Sequence, residues 1–308
     1  MTQSTYTNYR NHIAANPLCA VNPLRVPSRI LVALLMVSLL SGCSLVINRT
    51  VGGFSKNLTS AVLDQNDPET VRQAIPAYLV LLDSFVQGDP ENASSLRRAS
   101  TLYSAYGSTL VDDPDRASKL TSRAWNYSQK SLCLEFKIDC EIRSVGFDDW
   151  NTFLEARSEK DVPRLFDFGT SWLAFLQAHS SDFVTLAELP KAQKLIETLD
   201  QINNGFEEVN ISLYLGILNS LRPPALGGDF DTAQKFFEQA IEMSEGKNLT
   251  AKVSYARFYA RTLYERELHD QLLTEVIEAD PADGSSTLQN VLAQDEAKLL
   301  LESGDEYF

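Results

Sequence analysis

Hydrophobic residues in the last quarter of the chain recur at three- and four-residue spacing, which predicts three consecutive helices between Gly227 and Pro281. In the first, Ala233, Phe236, Phe237, Ala240, Ile241 and Ser244 share one helix face. Asp229 or Asp231 can cap its start, because a carboxylate there accepts from otherwise orphaned backbone amides, and Gly246 closes it. The second carries Leu249, Val253, Ala256, Ala260 and Leu263, and the third Leu268, Leu272, Val276 and Ala279. Asp280-Pro281 stops the third, since proline cannot continue a helix and restricts the residue before it.

The same period runs upstream. Asp67-Pro68-Glu69 opens a helix with Val71, Ala74, Ile75, Tyr78, Leu79, Leu82 and Phe85 inward, and Pro76 inside it predicts a kink. The next two turn Leu96, Ala99, Tyr103, Tyr106 and Leu110 inward, then Ala117, Leu120, Ala124, Tyr127 and Leu134. A helix opened by Asp161-Val162-Pro163 places Leu165, Phe166, Gly169, Trp172, Leu173 and Leu176 on one side, with Gly169 marking a close crossing. Further helices are read over 190–203, 209–221 and 287–303, the last burying Leu288, Val291, Leu292, Leu299 and Leu300. No long two-residue alternation occurs, so the predicted fold class is all-α.

Gly228-Asp229 followed by Ala233, Phe237 and Ala240 reproduces the second-helix signature of a tetratricopeptide repeat (TPR), in which small residues let helices approach and the aromatic fills the gap. An ordinary amphipathic helix with small residues at these positions is the alternative. Tyr255 and Ala256 extend the packing set into the next helix. The predicted architecture is a TPR-like array of helical hairpins, an α-solenoid-like right-handed superhelix, forming a single domain over 66–308. The turn 222–228 is longer than a standard repeat turn by about five residues when Gly216 takes the template's first-helix small position. Such an extension is a place for partner contact.

The N-terminus carries an address. Arg25 and Arg29 precede an apolar run from Ile30 to Leu40, too short for comfortable bilayer crossing, and Leu40-Ser41-Gly42-Cys43 matches the bacterial lipobox. Residues 1–42 are therefore read as a lipoprotein-type signal peptide, although the leader before Arg25 is long enough to suggest a later true start. Cys43 is the acylated residue, carrying palmitate-type chains, and 43–65 is a tether with a first helix. A membrane helix with an incidental cysteine is the alternative. Ser44 in place of aspartate favours the outer membrane, on its periplasmic face.

Charge narrows the partners. The chain carries a formal charge of −14, and the 42 leading residues hold three basic and no acidic side chains, leaving −17 beyond them. Such a surface repels phosphate, which excludes nucleic acid as a partner. Export leaves Cys133 and Cys140 in an oxidising compartment as a candidate disulfide. Seven residues on one straight helix would separate them by about 10 Å, beyond disulfide reach, so pairing requires the helix to end near Lys137-Ile138-Asp139. Free thiols are the other outcome. No third or fourth ligand stands near them, so no metal is expected. The acidic run Asp112-Asp113-Pro114-Asp115 lacks the glycine and distal glutamate of a calcium loop and reads as a helix cap. His179 and His269 each stand alone, at a helix end or an exposed face, and no phosphate loop, HExxH or nucleophile elbow occurs. The expectation is a protein without cofactor or catalytic site, not an enzyme.

Taken together, an exported helical lipoprotein with this C-terminal pattern resembles the T-component (TatT) family associated with TRAP transporters. The residues that carry the likeness are Gly228-Asp229-Phe230, Ala233, Phe236-Phe237-Glu238 and Ala240, then Ser244, Gly246, Leu249, Ala251-Lys252-Val253 and Tyr255-Ala256-Arg257. Leu272-Leu273, Glu275-Val276 and Asp280-Pro281 continue it, and Asp67-Pro68-Glu69, Val71, Asp161-Val162-Pro163, Gly169 and Trp172 look like earlier helices of the family. The sequence departs at Phe166-Asp167-Phe168 and between Cys133 and Trp150. The resemblance implies a periplasmic, lipid-anchored scaffold that binds the solute receptor of a TRAP system and aids delivery of a small organic ligand. Ring-like self-association into a homo-oligomer would suit that role. The rival reading is a general TPR lipoprotein serving outer-membrane or cell-envelope assembly.

Overall fold

The computed structural model describes residues 58–308, Ser285 excepted, so the leader, Cys43 and most of the tether lie outside the described residues. Among the described residues all regular structure is helical. After a helix α1 over 58–63 come α2 (Pro68–Gly88), α3 (Ala93–Thr109), α4 (Pro114–Phe136) and α5 (Phe147–Glu155). The chain continues through α6 (Val162–Ala178), α7 (Phe183–Leu186), α8 (Leu189–Ile202), α9 (Glu208–Ser220) and α10 (Phe230–Met243). The final group is α11 (Leu249–Ser254), a π-helical segment (Tyr255–Ala260), α12 (Arg266–Glu278), α13 (Thr287–Glu302) and α14 (Gly304–Tyr307).

Short polar side chains set the helix starts. Asp67, Asn92, Asp113, Asp229, Asn248 and Ser286 each accept a hydrogen bond from a first-turn amide. Between these stops, α3 with α4 and α9 with α10 form the tightest hairpins, α6 lies against both α3 and α4, and α8 bridges α6 and α9. One contact leaves this sequential order. Leu288 of α13 joins Val71, Ile75 and Leu79 of α2 in one cluster, and the Ser286 hydroxyl donates to the Leu63 carbonyl at 3.4 Å. Helices from the two ends of the domain therefore meet, whereas repeats in a strict one-dimensional stack touch only their neighbours.

The largest core is aromatic. Trp125 stacks on Trp172 at 5.1 Å between ring centres, Trp150 meets Trp172 edge-on at 5.7 Å, and Phe168 and Phe175 fill the flanks. Two indole N–H groups are satisfied inside it, Trp150 donating to the Lys191 carbonyl at 3.0 Å and Trp172 to Glu188 at 3.1 Å. Gly169 marks the predicted close crossing: a Cβ there would stand 3.1 Å from Ile196 and 3.2 Å from Leu195 of α8. Lys137, in the left-handed region at φ 55°, ends α4 and turns the chain back, so Cys133 and Cys140 stand 5.0 Å apart at Cα and are joined as a disulfide.

Several inward assignments change. Leu263 is 38% exposed because the π segment shifts the helical phase: Arg261 N–H bonds to the Ala256 carbonyl and Glu265 N–H to that of Ala260, each one residue longer than an α-helical bond. Tyr259 is buried instead. In α13 the inward stripe is Ala293, Ala297 and Leu300, which leaves Leu299, a hundred degrees away, on the outside. In α2 the stripe runs through Val71, Ile75, Leu79 and Val86, so Ala74 and Phe85 face solvent. Pro76 lies within a continuous α2 because the Tyr106 hydroxyl donates to the Arg72 carbonyl at 3.2 Å, replacing the bond that a proline cannot give. His269, read as exposed or terminal, is fully buried against Phe308.

Candidate interaction site at the turn between α9 and α10

The extended turn is a braced structure. Pro224–Leu226 forms one turn of 3-10 helix, Gly227 takes φ 87°, and the Gly228 N–H returns to the Pro223 carbonyl at 3.2 Å. Gly228 is obligatory: a Cβ there would lie 1.7 Å from the Arg222 carbonyl oxygen. Two bonds then tie the turn to its supports. The Asp229 N–H donates to the Asn219 carbonyl at 2.9 Å, and the Arg222 guanidinium donates to Gln193 on α8. Asp229 rather than Asp231 caps α10, and the Thr232 amide and hydroxyl hold its carboxyl below the usual carboxylate range. On this frame Leu226 is 67% exposed and Leu221 is also exposed. Two apolar side chains on a turn fixed at both ends form a surface suited to protein contact.

Beneath the turn, Ala233, Phe237, Ala240, Tyr255 and Ala256 share one cluster, while Gly228 and Asp229 stand at its rim as turn and cap. Phe237 stacks on Tyr255 at 5.2 Å with 18° between planes, and Gly216 of α9 leaves room for its ring. The Tyr259 hydroxyl donates to Gln234 at 3.1 Å, and burial followed by the Glu238 charge raises the Tyr255 phenol pKa.

Other buried polar groups escaped the periodicity argument. Asp83 receives bonds from Tyr103 at 2.8 Å, Tyr127 at 2.9 Å and Arg123 at 3.0 Å. Its signal was present: position 83 falls in register with Leu79 and Val86, so a carboxylate there had to be satisfied internally. His269 likewise lies in phase with Leu272, Leu273 and Val276; its Nδ1 faces Asp270 at 2.8 Å and its Nε2 has no partner. His179 ties α6 to α4. Its Nδ1 faces the Phe175 carbonyl at 2.8 Å and its Nε2 faces the Ser118 hydroxyl at 2.8 Å. Nothing in the linear spacing of Ser118 and His179 signals this contact. Among the described residues no group of three His, Cys, Asp or Glu side chains is arranged to hold a metal, and no helix is long and apolar enough to cross a membrane.

A comparison with curated proteins finds no match. A family model described as TRAP transporter T-component matches residues 64–308, which takes in the braced turn, the π segment and every helix from α2 to α14. The chain belongs to the TRAP transporter T-component (TAtT) family.

Proposed function

We propose that this accessory of TRAP-type transport is a periplasmic scaffold, anchored through acyl chains on Cys43, that binds the system's solute receptor and aids delivery of a small organic ligand. The family match over 64–308 is the observation that carries the reading. The braced turn supports it, because exposed Leu221 and Leu226 are presented on a backbone whose ordering cost has already been met by the fold. The role is one of binding, without a catalytic step. Ser44 in place of aspartate favours the outer membrane for this anchor, and a homo-oligomer would set several such turns around one axis.

The test is photo-crosslinking in the periplasm from a reactive residue placed at Leu226, followed by mass spectrometry. A TRAP solute receptor should be recovered, more strongly in one ligand condition than another. Recovery of envelope-assembly proteins instead would select the general TPR scaffold. Failure to recover a receptor under any ligand condition would end the receptor reading.

A further inference from the structure

We propose that the groove between α2 and α4 docks an acidic, partly apolar segment of a partner protein. This goes beyond the receptor reading and does not depend on it. The groove encloses about 390 Å³. Pro76, Val80 and Leu120 supply its apolar surface, and Arg116, Lys119 and Arg123 supply a cationic wall. Those three cations are spaced by three and four residues along α4, which sets them on one helix face.

The wall is positioned from within. The Tyr106 hydroxyl that satisfies the Arg72 carbonyl beneath Pro76 also accepts from Arg116 at 3.2 Å, and the Arg116 guanidinium lies 5.6 Å from the Tyr106 ring centre. Arg123 lies over Tyr103 and is matched by Asp83 at 3.0 Å. Arg116 and Lys119 enter no ion pair among the described residues. These two cations, free of direct ion pairs although Asp112 and Asp115 stand one turn before them, lie beside a Val80 that is 69% exposed. Their field is complementary to carboxylates, and their neighbours are complementary to an apolar side chain.

The shape selects the occupant. Sites for small molecules bury most of the ligand surface, and a groove with Val80 standing proud of it would leave a lone carboxylate largely hydrated. A polypeptide segment reaches both halves at once, laying an apolar side chain on Val80 and Leu120 while its carboxylates meet Arg116 and Lys119. Anionic bilayers are opposed by the negative charge of the remaining surface.

The experiment uses the purified full chain in detergent micelles and a fluorescein-labelled amphipathic peptide of leucine and glutamate, followed by fluorescence anisotropy. The peptide should bind, its affinity should fall with added salt, and the matching leucine–lysine peptide should not bind. K119E should weaken binding about tenfold, and R116E with K119E further. Lys119 is exposed and holds no internal partner, so K119E separates docking from folding, with circular dichroism as the check. Unchanged affinity in K119E would overturn the proposal. Full displacement of the peptide by free citrate, or Lys119-dependent binding to anionic vesicles in place of the peptide, would also overturn it. Receptor crosslinking at Leu226 that survives K119E would show the two sites to be separate.

Discussion

The contact between Gly216 of α9 and Phe237 of α10 gives a sharp test of how the C-terminal hairpin is held. A Cβ added at Gly216 would stand 2.9 Å from two atoms of the Phe237 ring. That ring is fully buried and stacked on Tyr255, so it has nowhere to move. In open space, Gly→Ala within a helix stabilises by about 1 kcal/mol. Here Gly216→Ala should instead destabilise by about 1–3 kcal/mol through overpacking. Phe237→Ala should cost about 3–5 kcal/mol, the lost burial plus the cavity. In the double variant the new methyl enters space the ring has vacated, so Gly216→Ala should become neutral or stabilising, a coupling of about 1–3 kcal/mol. Urea unfolding of the four proteins measures all three quantities. If Gly216→Ala stabilises the parent chain, or if the two changes add, the close approach of α9 to α10 is not what requires the glycine.

Reduction of the Cys133–Cys140 disulfide, which spans a sequence separation of 7, should cost about 2–3 kcal/mol by the loop-entropy relation. That loss should lower the midpoint of thermal unfolding by roughly 5–10 °C. A melt with reductant that matches one without it would remove the disulfide from the account. Asp83→Ala strips an acceptor from Tyr103, Tyr127 and Arg123 together and should cost about 2–3 kcal/mol in the same urea assay. Burial, then the Asp83 carboxylate, push the Tyr127 phenol up to about 12, above its ordinary 10. The folded chain therefore holds that proton longer than the unfolded one, so this contribution persists below pH 10 and is lost as pH rises from 10 to about 12. Asp167 titrates at about 6 instead of 3.8, because burial outweighs the Arg97 guanidinium 3.4 Å away and Glu135 and Glu207 add repulsion. The folded state then binds more protons between 3.8 and about 6, so stability from this group falls as pH rises through that window. Asp167→Asn should flatten that limb of the pH–stability curve; an unaltered slope would assign it to other carboxylates.

The helical class and its punctuation were legible because they follow from local physics. Asp67, Asp113 and Asp229 cap helices where a short acceptor precedes an apolar run, and Ala233, Phe237 and Ala240 face inward because their spacing matches the helical period. The family was legible in the same C-terminal stretch, since its small residues and aromatic are the ones the packing requires. The turn 222–228 stood out only as a length; its bracing by Asn219 and Gln193 was not readable, because those partners sit on neighbouring elements.

What the sequence determined by itself, then, was the helical class, the starts of several helices, the unusual length of the turn before α10 and the need for α4 to end if its cysteines were to meet. Periodicity assigns a face on the assumption of an unbroken 3.6-residue helix against one neighbour. The tertiary structure decided where that assumption fails: at the π segment that turns Leu263 outward, and at the junction of α2 with α13. It also decided the fate of Asp83 and His179, whose hydrogen-bond partners come from other helices, and of His269, which the Phe308 ring covers. A buried polar group is explained by what lies across from it, and that is fixed by long-range packing rather than by any local run of residues.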